Sequence, residues 1–519
     1  MGKYILKRIL RGLLSAVLVT AVVMVLIYSF MDRNLIFAED PNYTRIKSNA
    51  KEVYKMQQWE RYGYVDYIPY TDYLTALQLD PETYIQAAKF ADRASQDPPT
   101  AAQYIRQFTE EYTQKGYTVV RLEGKSRGRS YQEGGEPRLF AHKDVPLVRR
   151  LLSYFSGLIT IDHTGKAAEV AGERGLTFTL YDPVYGGKKF SPAIIGNGTI
   201  HKYLLYFDSS FPFLHQNFIT LNLGQSYSVN QGVDVAQTMT QSQGSFLQTE
   251  VTYPTGLTEL TADDLHTAVY AKDSLENGTA VIKARFTDDY TVLSTRRSGF
   301  SKLGYSFVIG IIAVALSYLI AIPLGILMAR HKDSIADKLG TAYIVFIAAV
   351  PSLAYIFLFK AIGGSLGLPS TFDMENPHWL MYVLPVVSLA LPAVANLSKW
   401  LRRYMLDQLS ADYVKFARAG GLSEGQIFRE HVLKNAIIPM LHGIPGSILG
   451  ALVGAIITER VYVVPGAGNL LTQAVNAYDN GVIVGVTLFY AVLSVSSVIL
   501  GDLLLSSVDP RISFSVKGR

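Results

Sequence analysis

Residues Asp412–Pro439 read DYVKFARAGGLSEGQIFREHVLKNAIIP, a polar and basic stretch set between two apolar runs and broken at its middle by Gly420-Gly421. Ahead of the break, Tyr413, Phe416 and Ala417 are spaced as one face of a short helix. Beyond it, Leu422, Ile427, His431 and Leu433 continue at similar spacing, with Ser423 at an N-cap position and Glu424 in the first turn. Glycine takes up backbone angles that other residues reach only at a cost, so the pair predicts a sharp reversal between two helical pieces. By spacing alone the stretch suits a solvated connector equally well.

Outward from it the chain turns apolar on both sides. Runs cover Leu303–Ala329, Leu339–Ile362, Leu380–Trp400, Leu441–Thr458 and Gly481–Ser506, and a sixth lies at Gly12–Met31. A bilayer is crossed by about 20 apolar residues as a helix, so six spans are expected. Lys3, Lys7, Arg8 and Arg11 precede the first run, whose length and missing small-x-small pattern favour a retained span over a cleaved signal. With that basic end in the cytoplasm, Arg330, Lys332, Lys338, Arg402, Arg403, Lys415, Arg418, Arg429, Lys434, Arg511, Lys517 and Arg519 all fall inside. The short outer loops carry little beyond Lys360 and Arg460, as the positive-inside rule requires. Arg296, Arg297 and Lys302 run against the trend, beside a long translocated region that the rule governs weakly. The expected protein is a multi-pass plasma-membrane chain with both termini cytoplasmic and residues 32–300 extracellular. Pro323, Pro351, Pro385, Pro392 and Pro445 fall in the spans, where kinks suit a bundle around a polar cavity and simple packing alike.

Composition agrees with a mixed chain. Its 519 residues are 49% hydrophobic and 18% charged, too apolar for a soluble protein and too charged for a bare bundle. A net charge of +5 is mild and gives no reason to expect a nucleic-acid partner. The absence of cysteine excludes disulfides, thiolate metal sites and a cysteine nucleophile. From Asp32 to about Arg297 nothing is apolar enough to span, and turn signals punctuate a Tyr-rich, mixed-charge sequence. Helices are predicted from Pro81, with Asp80 as N-cap, to about Ala94, and from Pro99 to Lys115, stopping at Gly116. Strands are predicted at Tyr117–Leu122, Leu158–Asp162 and Leu176–Tyr181, the last alternating Leu176, Phe178 and Leu180 with threonines. An α+β domain follows.

Four motifs, in order along the chain, carry a resemblance. Ala417, Arg418, Ala419, Gly421, Leu422 and Ser423, then Asn435, Ala436 and Pro439, match ARAxGLS and N-A-x-x-P, while Lys415 and Phe416 stand where a wider motif has Glu-Ala. Asn222-Leu223-Gly224-Gln225-Ser226-Tyr227 matches D-L-G-x-S in part, and Thr458–Gly468 matches T-E-x-V-F-x-x-P-G-x-G with Tyr462 for phenylalanine. Asp502 and Asp509-Pro510-Arg511-Ile512 match D…D-P-R-I. The chain thereby resembles the oligopeptide/dipeptide permease branch of binding-protein-dependent ABC importers, in a long Gram-positive form with a large extracellular insertion. The resemblance implies a mainly α fold: a six-helix type I importer transmembrane domain with an α+β domain inserted between the first and second spans. The implied division is 1–31, 32–300 and 301–519, with a cytoplasmic coupling loop at 401–440.

It further implies that Lys415, Phe416, Ala417, Arg418, Ala419, Gly420, Gly421, Leu422 and Ser423 dock onto a separate ATPase, and that Glu459, Pro465, Gly466 and Gly468 form an outer-end loop. Implied partners are a second homologous permease, two cytoplasmic ATPase subunits that bind ATP and Mg, an extracellular solute-binding lipoprotein, a peptide substrate and membrane lipid. The branch also serves nickel and oligosaccharide import, and a membrane-anchored ligand receptor without transport is the rival from another class. That rival needs a cytoplasmic signalling domain, which the short tail after Ser506 does not offer.

Residue chemistry agrees with a passive subunit rather than an enzyme. Gly124-Lys125-Ser126 ends like a phosphate-binding loop, but Val119 stands where its first glycine belongs. The span interiors are nearly free of charge, with Lys399, Glu459 and Asp502 close to span ends, unlike an ion-coupled transporter. Gly363–Gly367 reads G-x-S-x-G yet follows an apolar run instead of a strand. The nine histidines are scattered, and His163 beside Asp162 suits a turn contact, so no metal or catalytic site is expected.

Overall fold

A computed structural model describes residues 2–46, 49–88, 99–122, 139–208, 213–374, 376 and 378–508. Asp509–Ile512 and the Gly124-Lys125-Ser126 segment lie outside them. The first helix, α1 (Gly2–Phe30), buries Ala16, Thr20 and Met24, each four residues from the last, against the final helix. Gly12 continues that stripe and meets Val495, and Arg8 pairs with Asp502 one turn further in. Small residues at a four-residue repeat let two apolar helices approach closely. Leu10, Leu14, Leu18, Val22 and Leu26 on its other sides are exposed.

All strands among the described residues lie between Val65 and Thr295. Helix α2 (Asn49–Arg61) precedes β1 (Val65–Pro69); α3 (Pro81–Ala88) and α4 (Pro99–Gln114) precede β2 (Thr118–Arg121) and β3 (Leu139–Asp144). These strands form an antiparallel sheet in the order β1-β3-β2. Alternate side chains choose faces: Tyr67 and Phe140 pack with Trp59 and Met56 of α2, whereas Leu139 and Ala141 pack with Ile105 and Phe108 of α4. The expected helix from Pro81 is present, with Asp80 accepting the Thr83 amide at 3.0 Å, as far as Ala88; its expected course to Ala94 lies outside the described residues. α4 ends as expected, with Gly116 at φ +78°.

Helix α5 (Leu147–Gly157) leads into β4 (Ile159–Ile161), which pairs with β9 (Ile219–Leu221). Between them β5 (Gly175–Tyr181), β6 (Phe190–Asn197), β7 (Tyr203–Phe207) and β8 (Leu214–Gln216) form an antiparallel meander. The predicted alternation in β5 is present, but Leu176, Phe178 and Leu180 face outward and Ala193, Tyr203 and Tyr206 form the core. Helix α6 (Val235–Thr240) follows, then the ribbons β10 (Thr249–Thr252) with β11 (Thr258–Thr261) and β12 (Asp263–Val269) with β13 (Val292–Thr295).

The remainder is helical. Helix α7 (Lys302–Arg330) packs along α10 (Val383–Leu409), and hydroxyls stitch the two: Ser317 donates to the Ala390 carbonyl at 3.2 Å, Ser398 to that of Ala321 at 3.3 Å. Between them the run expected as one span, with Pro351 inside it, is two helices, α8 (Ile335–Ala349) and α9 (Ser352–Ser365), bent by 112°. The cause is local: Pro351 has no amide to continue the ladder and forces Val350 into extended backbone. The two arms still climb the bundle together. Asp337 at the start of α8 holds Arg402 near the end of α10, while Gly363 of α9 meets Leu384 at its beginning.

Then come α11 (Asp412–Ala419), α12 (Glu424–His442), α13 (Ile444–Tyr462), α14 (Ala467–Asn476) and α15 (Asn480–Val508), with α12 and α13 meeting at 44°. Among the described residues, four helices are each long and apolar enough to cross a membrane, and two bent pairs pass the same test as pairs. Of the prolines expected to kink spans, Pro323 and Pro392 are interior to helices; Pro351 and Pro445 start theirs.

Candidate functional site

The loop between α11 and α12 is built on a complete helix-ending motif. Gly421 stands at φ +84°, its amide reaches the Arg418 carbonyl at 3.1 Å, and the Leu422 amide reaches that of Ala417 at 3.2 Å. Those two bonds satisfy carbonyls that the end of α11 would leave open, and they need the left-handed backbone that glycine supplies. Ser423 then caps α12: its hydroxyl accepts the Gln426 amide, and the Gln426 side chain accepts the Ser423 amide at 3.1 Å. Arg418 closes the turn with Nε to Glu424 Oε1 at 2.5 Å and Nη2 to Oε2 at 3.1 Å, which holds the Glu424 carboxyl below the usual carboxylate range. Lys415 pairs with Asp412 at 2.8 Å.

The face that α11 buries differs from the expected one. Val414 is buried with Ile427, Val432 and Ala436 against Leu401 and Met405 of α10 and Ala329 of α7. Tyr413 and Ala417 flank that cluster, whereas Phe416 is 75% exposed and Leu422 is 40% exposed. Asn435 explains part of its motif by donating to the Tyr413 hydroxyl at 3.2 Å, across the reversal. Within α12, Ile427–Leu433 is wound as a π-helix. Thus Lys415, Phe416 and Arg418 through Ser423 form one exposed, internally satisfied knuckle on a buried apolar base.

At the other end of the bundle the motif residues are buried. Glu459 is fully enclosed; Ser306 donates to it at 2.5 Å and the Asn469 amide at 3.1 Å. Its carboxylate thus caps the N-terminus of α14. The Ser306 hydroxyl also accepts the Ala467 amide at 2.8 Å, which fastens α7 into the same corner. Gly466 and Gly468 are glycine because a Cβ at the first would strike the Glu459 carboxylate and at the second Ile456. Pro465 lies two residues beyond Val463, whose φ of +57° turns the chain out of α13. The expectation that the charges sit near span ends holds in sequence, but Glu459 is in a dry corner.

A second buried carboxylate was missed at the sequence level. Asp479 accepts the Ser226 hydroxyl at 2.6 Å, the amides of Tyr227, Ser228 and Val229 at 2.9–3.0 Å, and the Val482 amide at 3.1 Å. It caps α15 and grips the 222–227 motif at once, while Leu223 and Gln225 carbonyls lie against Gly485 and Gly481. An aspartate ahead of Asn480-Gly481 is a helix-start signal; its partners, about 250 positions away, leave no local trace. His163 accepts the Gly165 amide at 3.1 Å, a turn contact. Gly363–Ser365 ends α9, and no strand precedes it.

A model of the binding-protein-dependent transport system inner membrane component family matches residues 321–514. Over 524 residues, and 100% of both chains, the protein is 35% identical to the oligopeptide transport system permease protein AmiC of Streptococcus pneumoniae serotype 4. The dipeptide transport system permease protein DppB of Bacillus subtilis is 28% identical over 214 residues, 41% of this chain and 69% of its own. Among solved structures, the MetNI methionine ABC transporter in an inward-facing conformation aligns over 40% of this chain and 93% of its own, at TM-score 0.33 and 15% identity. The likeness to AmiC runs through the sheet-bearing region as well as the helical one. This chain belongs to the inner membrane components of binding-protein-dependent transport systems, in the oligopeptide and dipeptide permease branch.

Proposed function

We propose that this chain is the membrane subunit of an ATP-driven importer of peptides, moved by separate ATPase subunits that bind ATP and Mg. It crosses the membrane six times, each bent pair counting as one crossing, with residues 1–31, 32–300 and 301–519 as first span, extracellular domain and permease core. Its partners are a second permease of the same kind, two cytoplasmic ATPases and an extracellular solute-binding lipoprotein. The observation that carries the reading is the knuckle: a rigid turn presenting Phe416 and Leu422 to solvent from a base locked into α7 and α10. An exposed aromatic on a pre-organised turn suits insertion into a groove, since little entropy is lost on docking.

In this mechanism the ATPases close on ATP and displace the knuckle. Because Val414, Ile427 and Val432 are packed on Leu401 and Met405, the push is passed to α10 and then to α7 through the Ser317 and Ser398 bonds. The bundle rocks from inward- to outward-open, accepts peptide from the binding protein, and resets on hydrolysis. Gly421→Pro tests it. Proline cannot adopt φ +84°, so the turn is lost while the buried base remains. Peptide uptake is expected to vanish with the protein still in the membrane; wild-type uptake by an assembled variant would reject the coupling role.

A further inference from the structure

Helix α5 and the β4–β9 ribbon leave an apolar surface uncovered. Val148 and Leu152 lie one turn apart on α5, and the pairings Ile159↔Leu221 and Ile161↔Ile219 put those four side chains on one face of the ribbon. All six are between 44% and 67% exposed. The stretch 147–161, LVRRLLSYFSGLITI, holds two arginines and no acidic residue.

What covers this face follows from its height along the bundle. The Asn222 amide bonds the Leu158 carbonyl at 2.8 Å, and Tyr154 donates to the Leu223 carbonyl at 3.3 Å. That carbonyl rests against Gly485, five residues inside α15. Arg150 of α5 stacks over Tyr28 near the outer end of α1, 3.7 Å from the ring centroid. At ~1.5 Å per residue the 29 residues of α15 extend roughly 43 Å, against a hydrocarbon layer of about 30 Å. With the excess shared between its ends, Gly485 falls about 7 Å in, at the outer edge of that layer. The ribbon and α5, tied to Leu223 and Tyr28, are therefore anchored at the outer edge of that layer.

We propose that this face rests in the outer leaflet, the apolar side chains among acyl chains and Arg149 at phosphate level, so that the sheet-bearing domain is seated on the bilayer. Tyr28, Tyr64 and Tyr154 beside it suit that interfacial level. An apolar helix face set about 5–10 Å into the headgroup boundary is how interfacial helices bind.

The inference rests on α1 and α15 crossing the membrane, and one experiment separates the two claims. The chain has no cysteine, so single thiols label cleanly. Leu152→Cys and Ile161→Cys, with Leu18→Cys and Lys188→Cys as references, are spin-labelled in the full chain purified with its accompanying subunits. Vesicles of phosphatidylethanolamine and phosphatidylglycerol are then probed with oxygen and a water-soluble nickel chelate. Oxygen is expected to outcompete nickel at 152 and 161, as at 18 and opposite to 188. Nickel dominance at 152 and 161 with oxygen dominance at 18 overturns the seating alone. Poor access for both reagents means a protein covers the face and also overturns it. Nickel dominance at 18 overturns the crossing of α1, and the seating with it.

Discussion

The two ends of the bundle use their motif residues in opposite ways. At the inner loop, Gly421, Ser423 and the Arg418–Glu424 pair satisfy the turn from within, and side chains such as Phe416 are left free at the surface. At the other end, Glu459 and Asp479 are buried and consumed by Ser306, Asn469, the Ser226 hydroxyl and the 227–229 amides. A motif at one end is thus left at the surface, where the proposed docking would use it, and at the other it is a fastening within the chain. Mutations should divide accordingly, the outer ones acting on stability and the inner ones on uptake.

Asp479→Ala should have the largest effect. It leaves the Ser226 hydroxyl and four amides without this acceptor, and each buried orphan costs about 1–3 kcal/mol. Little folded chain is expected in the membrane fraction, and any that is recovered should melt well below wild type; an unchanged Tm breaks the comparison. Glu459→Ala removes two bonds and opens a void, for a loss of about 2–4 kcal/mol. Its Tm in detergent should fall less than that of Asp479→Ala, and a Tm at the wild-type value would show that the corner is not a fastening.

Phe416→Asp should leave the Tm alone, the ring being exposed, but cost uptake roughly tenfold if its docking is worth about 1–2 kcal/mol. A fall in Tm with uptake preserved would place Phe416 on the wrong side of the division. Arg418→Ala should do least to stability, because the bridge to Glu424 is exposed and screened by salt. The sign with pH is set: Glu424 is held low by Arg418, so what the bridge adds is present above the ordinary glutamate range and lost as pH falls through the depressed value. A Tm difference between wild type and Arg418→Ala that grows on acidification would contradict it.

Local chemistry was legible before the structure. The reversal at Gly421, the Ser423 cap, the end of α4 at Gly116 and the strands at 118–121, 159–161 and 175–181 follow from turn residues and alternation. What escaped depended on partners far along the chain. Eight residues of α11 fit more than one apolar face, and only the cluster around Leu401 selects Val414 over Phe416. Pro351 signalled a kink within 339–362, but hydropathy carries no direction and left the 112° size of the bend unread. Asp479 meets residues some 250 positions away, and His266 finds Asp182 at 2.7 Å inside the sheet-bearing region in the same manner.

In the proposed arrangement the elbow at Pro351 also bears on parity. Its arms begin beside Arg402 and finish beside Val461, whose carbonyl accepts Lys360 at 2.6 Å, so in the proposed arrangement they amount to one passage. Three passages, an odd number, then separate Lys302 from Asp412, and the sheets and the knuckle open onto different compartments. A hairpin returning to its starting side would have made the tally even and set both on the same face. In that arrangement the bend behind Pro351 keeps the parity that a straight span would give.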